Sequence, residues 1–130
     1  MNEIWKPVYN YEGYYEVSSR GRVRSLTRSV NSRTNENVYR LLTGRVLVST
    51  INSAGYLKVR LSKKGVKKTQ MVHHLVGESF LNHTKRCNFI SLDHIDEDKT
   101  NNHVSNLQII TKQDNIIKSI EYKKLQRTKL

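Results

Sequence analysis

Cysteine occurs once in this chain of 130 residues, at Cys87. A single thiol excludes an intrachain disulfide framework and any zinc site built from several cysteines, and it suits a reducing compartment. Nothing places a base beside Cys87, so it reads as a structural or incidental thiol. Apolar runs are short. None reaches 18 residues, so no transmembrane helix is expected. The opening residues, MNEIWKPVYNYEGYY, lack the apolar h-region of a secretory signal peptide. An intracellular protein is the expectation. Length allows one domain or two small modules, and 36% hydrophobic against 26% charged residues makes for a lean core.

Acidic residues are the other scarcity. Eleven Asp and Glu stand against 23 Lys and Arg, a formal net charge of +12. A domain this basic needs an acidic partner, and nucleic acid is the usual one. The charge is uneven. Residues 1–72 hold 14 basic and 4 acidic side chains; residues 73–130 hold 9 and 7. The basic surface is therefore mainly N-terminal, and the acids gather further on.

Local pattern predicts an antiparallel region first. YYEVS alternates and is rich in aromatic and β-branched residues, Ser-Ser-Arg-Gly is a turn, and RVRSL alternates again. That is a hairpin with Arg20, Arg22 and Arg24 around its turn and second strand. Residues 27–40 lack periodicity and read as an exposed loop carrying Arg28, Arg33 and Arg40. RVLVSTI (45–51), YLKVRLS (56–62) and VKKTQMV (66–72) read as a three-stranded meander. In the middle strand Leu57, Val59 and Leu61 point one way, while Tyr56, Lys58, Arg60 and Ser62 point the other. At 72–82 the period changes: Val72, Leu75, Val76, Ser79 and Phe80 make a helical stripe, with Gly77 an oddity inside it. A connecting loop follows over 82–88. FISLDH (89–94) and LQIIT (107–111) are strands separated by a polar loop. Thr111, three residues before Asp114, caps a helix that starts near Lys112 and runs to about Lys118 or beyond.

The stretch 92–115, LDHIDEDKTNNHVSNLQIITKQDN, carries the chemistry. Asp93 and His94 end a strand, and a helix packed across the hairpin can point Asn115 back at Asp93. A carboxylate and an amide oxygen suit a hard divalent cation such as Mg²⁺, which keeps several waters. His94 can act as a base near neutral pH. Asn106, just ahead of the second strand, is placed to fix the loop and the His94 ring by hydrogen bonds. Asp96, Glu97 and Asp98 lack the Gly and distal Glu of an EF-hand loop and read as a solvated turn. His73 and His74 read as structural, and His103 as a surface histidine.

With these residues in place, the stretch resembles the HNH endonucleases, most of all the HNH homing endonucleases of phages. In that family the first motif His follows an Asp, as in Asp93-His94; the middle Asn matches Asn106; and the third position is Asn115 here, an H-N-N variant. IWKPVYNYEGYYEVSSRGRVRSL resembles NUMOD4, the module that often precedes HNH, and VHHLVGESF resembles the helix leading into the HNH hairpin. The resemblance implies an α+β fold: a small antiparallel sheet region, then a ββα-metal nuclease motif. It implies a NUMOD4-like DNA-contacting module at 1–44, and at 45–130 a meander leading into the nuclease domain, with catalytic hairpin and helix at about 89–120. It implies that Asp93 and Asn115 hold one divalent metal, Mg²⁺ with Mn²⁺ as substitute, that His94 is the general base, and that Asn106 is structural. Larger relatives carry a C-terminal helix-turn-helix reader. A chain ending at Leu130 is too short for one, so looser target recognition is expected.

The expected activity is metal-dependent hydrolysis of one strand of double-stranded DNA per site, by a monomer or homodimer encoded by a phage or mobile element and acting in the host cytoplasm. Arg20, Arg22, Arg24, Lys58, Arg60, Lys63, Lys64, Lys67 and Lys68 are the candidate DNA contacts, mostly to phosphates, and binding should weaken steeply with salt. The rival expectation is a non-catalytic DNA-binding protein with a decayed nuclease hairpin.

Overall fold

Alternation in YEVS buries Tyr15 and Val17 and leaves Glu16 half-exposed between them. In the computed structural model, which describes residues 2–31, 34, 37–83 and 89–128, this segment is β2 (Tyr15–Ser18). It is the middle strand of an antiparallel sheet between β1 (Trp5–Pro7) and β3 (Val23–Ser25). β2 and β3 are the predicted hairpin. β1 is an addition, because three residues offer no alternation to read. Cys87 and Arg33 lie outside the described residues.

The loop expected over 27–40 is corrected. β4 (Arg28–Asn31) pairs with β5 (Tyr39–Leu42), from Arg28↔Leu42 to Asn31↔Tyr39. Ser29, Asn31, Tyr39, Arg40 and Leu41 are all exposed. Backbone pairing makes this ribbon; its inward positions, Arg28, Val30 and Leu42, are only half-buried and one of them is charged, so the period-two pattern in the sequence is weak.

The meander is present with a shortened first strand. Over 45–51 only an isolated bridge, Arg24↔Val46, and β6 (Thr50–Ile51) form. The β-prone run is mostly in water, Val48 being 88% exposed, so no core holds it flat. Its start instead runs along β3. Ser25 N–H donates to Arg45 O at 2.8 Å, and Leu47 N–H to Val23 O at 2.8 Å. β7 (Leu57–Lys63) and β8 (Val66–Met71) follow as predicted, joined at Lys64-Gly65. Val59 and Leu61 face the core, and Arg60 faces water.

α1 (Val72–Phe80) buries Val72, Leu75 and Val76. Gly77 now has a reason: a Cβ there would lie 2.7 Å from Leu92 Cδ2, so the bare residue lets α1 approach the next strand. That strand, β9 (Ile90–His94), pairs antiparallel with β10 (Leu107–Thr111), from Leu107↔His94 to Thr111↔Ile90. α2 (Lys112–Thr128) starts where the cap predicts, Asp114 N–H donating to Thr111 Oγ1 at 3.1 Å, and runs well beyond Lys118. One core joins Val8, Tyr15, Val17 and Val23 to Val59, Leu61, Val72, Leu75, Val76 and Leu107. Tyr15 also reaches across, its hydroxyl accepting Ser62 N–H at 2.9 Å. The architecture is α+β, as expected.

Candidate active site

Along β9, Ser91 and Asp93 share a face and His94 turns to the other. α2 lies over the first of these faces. Asn115 Nδ2 donates to Ser91 Oγ at 3.1 Å, and Lys118 Nζ donates to Asp93 Oδ2 at 2.7 Å. Gln108, opposite Asp93 on β10, donates to the same Oδ2 at 2.8 Å. His94 is the last residue of β9, and the chain turns immediately, Glu97 N–H donating to His94 O at 3.1 Å. A strand end is thus what lets neighbouring residues serve one place. Asp93, His94 and Asn115 all line one open cleft of about 290 Å³, with Tyr56, Glu97 and Lys99.

Asp93 and His94 are both buried. The His94 ring lies 5.2 Å from that of His73 and 5.9 Å from that of Tyr56. Its Nε2 is 2.7 Å from Asn102 Oδ1. Asn106 braces the loop instead. It accepts Asp96 N–H on Oδ1 at 3.1 Å and donates Nδ2–H to Asp96 Oδ1 and Asn101 O, both at 2.9 Å. The ring contact expected of Asn106 therefore belongs to Asn102, four residues earlier. Asp96 and Asp98 spend their carboxylates inside the loop. Asn101, then Asp98 N–H and Asn106, hold the Asp96 carboxyl below its usual range, and Thr100 does the same for Asp98. These bonds account for both acids as turn residues.

Lys118 is the largest omission from the sequence reading. Its ammonium sits among four oxygens: Asp93 Oδ2 at 2.7 Å, Glu97 Oε1 at 2.8 Å, His94 O at 2.9 Å and Ile95 O at 3.2 Å. Burial opposes its charge, but Asp93 and Glu97 outweigh that and hold its pKa above the ordinary lysine value. It lies three residues from Asn115, hence on the same helix face, and that spacing was the available signal. Lys99 and Tyr56 were missed too. Lys99 Nζ lies 4.8 Å from the Tyr56 ring centre and donates to Ala54 O at 2.9 Å.

Among the described residues, no three His, Cys, Asp or Glu side chains converge as a closed metal cage would require. The cleft offers a carboxylate and an amide oxygen. Both described bonds to Asp93 fall on Oδ2, which leaves Oδ1, and Asn115 gives its N–H rather than its oxygen to Ser91. The oxygens gathered on Lys118 show that this spot favours positive charge. A hard divalent ion that keeps most of its own waters fits such a donor set.

The predicted DNA contacts spread over two sheets. Arg22 is paired with Glu3, Nε to Oε2 at 2.8 Å with a second bond to Oε1, and Arg24 with Glu16 at 2.7 and 3.0 Å. Both guanidinium groups lie over Trp5, at 5.6 and 4.0 Å, so they share a face as expected, but with acidic partners attached. Arg20 follows Ser19 in the turn. Arg60, Lys64, Lys67 and Lys68 are exposed on β7, β8 and their turn, and Lys58 is half-exposed. Lys63 Nζ donates to Asn10 O at 2.6 Å. Lys63 and Lys68 line a hollow of about 840 Å³, larger than the cleft but without Asp93, His94 or Asn115.

Residues 3–62 match the NUMOD4 motif. The chain is 32% identical over 112 residues to the DNA endonuclease I-HmuI of Bacillus phage SP01, covering 86% of this chain and 55% of that protein. It is 33% identical over 104 residues to the uncharacterized HNH endonuclease L245 of Acanthamoeba polyphaga mimivirus, covering 80% of this chain and 26% of that one. A solved structure described as "DNA binding and cleavage by the HNH homing endonuclease I-HmuI" superposes with a TM-score of 0.71 at 28% identity, covering 96% of this chain and 65% of that chain. The chain thus spans about half the length of the phage protein and about a quarter of the mimivirus one. No described helix is long and apolar enough to cross a membrane.

Proposed function

We infer that the chain, which is similar to phage-type HNH endonucleases and carries a NUMOD4 motif, is a metal-dependent DNA endonuclease of the homing type that nicks one strand per active site. The observation that carries this is the meeting of Asp93, His94 and Asn115 on one cleft at the end of β9.

His94 takes the proton from the attacking water. The water oxygen bonds to phosphorus as the bond from phosphorus to the 3′-oxygen breaks. Asp93 and Asn115 would hold one divalent ion, Mg²⁺ with Mn²⁺ as substitute, which would supply Lewis-acid stabilisation of the charge that develops on the phosphate and the leaving group. Asn106 keeps the 95–106 loop in place by its bonds to Asp96 and Asn101. The first 44 residues serve as the DNA-contacting module. Arg20, Arg22, Arg24, Lys58, Arg60, Lys63, Lys64, Lys67 and Lys68 hold the duplex mainly by its phosphates.

The test is relaxation of supercoiled plasmid with Mg²⁺ or Mn²⁺ by the wild type and by His94→Ala. Nicking by the wild type and its loss by several orders of magnitude in the variant, with DNA binding kept, is the expected outcome. Binding without relaxation under either metal would leave a DNA-binding module and sink the enzyme.

A further inference from the structure

Asn102 is only 3% exposed, deeper than any other polar residue of the 95–106 loop. Its Oδ1 lies 2.7 Å from His94 Nε2. Its Nδ2 is buried as well and has no hydrogen-bond partner among the described residues. A buried amide with half its bonding unmet is a net cost to folding, and a residue kept only for packing would be apolar. What the amide does achieve is to set the state of the imidazole. An amide oxygen only accepts, so a hydrogen bond in this orientation calls for the proton on the facing ring nitrogen. The neutral ring is then the Nε2–H tautomer, and Nδ1 keeps the lone pair that a base needs. The same oxygen still accepts from Nε2–H once Nδ1 has gained a proton, so nothing reorients during the reaction.

Asn102 is itself held from the N-terminal sheet. Gly21, at φ +83° in the β2–β3 turn, lies so close that a Cβ there would sit 2.7 Å from Asn102 Cβ and 2.9 Å from its carbonyl oxygen. Two residues on, Val104 N–H donates to Ser19 O at 2.8 Å. The turn that carries Arg20 is therefore the wall against which the His94 partner rests.

We propose that Asn102 is the positioning residue of the His94 base, fixing the Nε2–H tautomer and freeing Nδ1 for the cleft, with the Gly21 turn as its support. This rests on the reading of His94 as the base. Two measurements keep the two ideas apart. The first is the ¹⁵N NMR tautomer of neutral His94 in the full chain, which needs no activity. The wild type should be Nε2–H, Asn102→Leu a mixture, and Asn102→Asp, which keeps an acceptor, Nε2–H again. Gly21→Ala should behave like the Leu variant by pushing Asn102 back. The second is nicking at saturating plasmid. Asn102→Leu and Gly21→Ala should lose about 10- to 100-fold in kcat with KM unchanged, and Asn102→Asp should recover most of that loss. An unchanged tautomer in Asn102→Leu and Gly21→Ala, or an unchanged kcat in an active protein, overturns the proposal. A wild type that fails to nick, yet shows the tautomer switch, overturns the enzymatic reading and leaves the Asn102 contact standing.

Discussion

The Glu3 carboxyl is held down to about 2 from an ordinary 4.5, chiefly by the Arg22 guanidinium and then by the Ser18 hydroxyl. The folded protein therefore binds this proton less readily than the unfolded chain. The stabilisation is complete above pH 4.5 and is lost as pH falls from there towards 2. Glu3→Gln should lower the thermal midpoint near neutral pH, and the gap from wild type should close by about pH 2. A gap that persists unchanged at the acid end would contradict this pairing. Single residues also show what sequence could reveal. Asp93, His94 and Asn115 stand out in the sequence by their chemistry, because few residue types can hold a hard cation or move a proton, and the structure brings all three to one cleft. Lys118 and Asn102 were not, because their roles come from contacts 25 and 8 residues away in sequence.

At the scale of elements, α2 matters most in its first two turns, where Asn115 and Lys118 lie. Thr111 Oγ1 caps that end. Thr111→Ala should cost about 1 kcal/mol in urea unfolding. Because the turns that fray are those carrying Asn115 and Lys118, nicking should fall more than DNA affinity does. Equal losses in both would show that these turns hold without the cap. Pattern disclosed β2, β7 and α1 through one buried face, whereas β8, mostly exposed, was legible from the turn ahead of it and its place in the meander. The ribbon of β4 and β5 escaped because its inward face is only half-buried and includes the charged Arg28, and the run over 45–51 looked like a strand because β-branched residues are favoured in strands whether or not a core receives them.

Over the whole molecule, the core does not respect a boundary near residue 44. Leu61, fully buried, packs in the same cluster as Val17 and Val23. Leu61→Ala should cost about 2–5 kcal/mol, and by calorimetry wild type and variant should each unfold in one transition. Two resolved transitions, only one of them moved by Leu61→Ala, would mean that the N-terminal sheet stands alone. Sharing a core also brings the β2–β3 turn against the 95–106 loop, where Gly21 meets Asn102.

The two rungs that join α2 to β9, Ser91–Asn115 and Asp93–Lys118, work like a vernier. Two residues of strand advance about 6.6 Å, three residues of helix about 4.5 Å, and the long lysine spans the difference. Such a scale reads true at one setting. Inserting one alanine after Gln113 turns the helix by about 100° and takes both rungs off the strand, so nicking should vanish while α2 stays helical by circular dichroism. Inserting four restores the facing at a new height, and any return of nicking would measure how much of the site depends on angle and how much on distance.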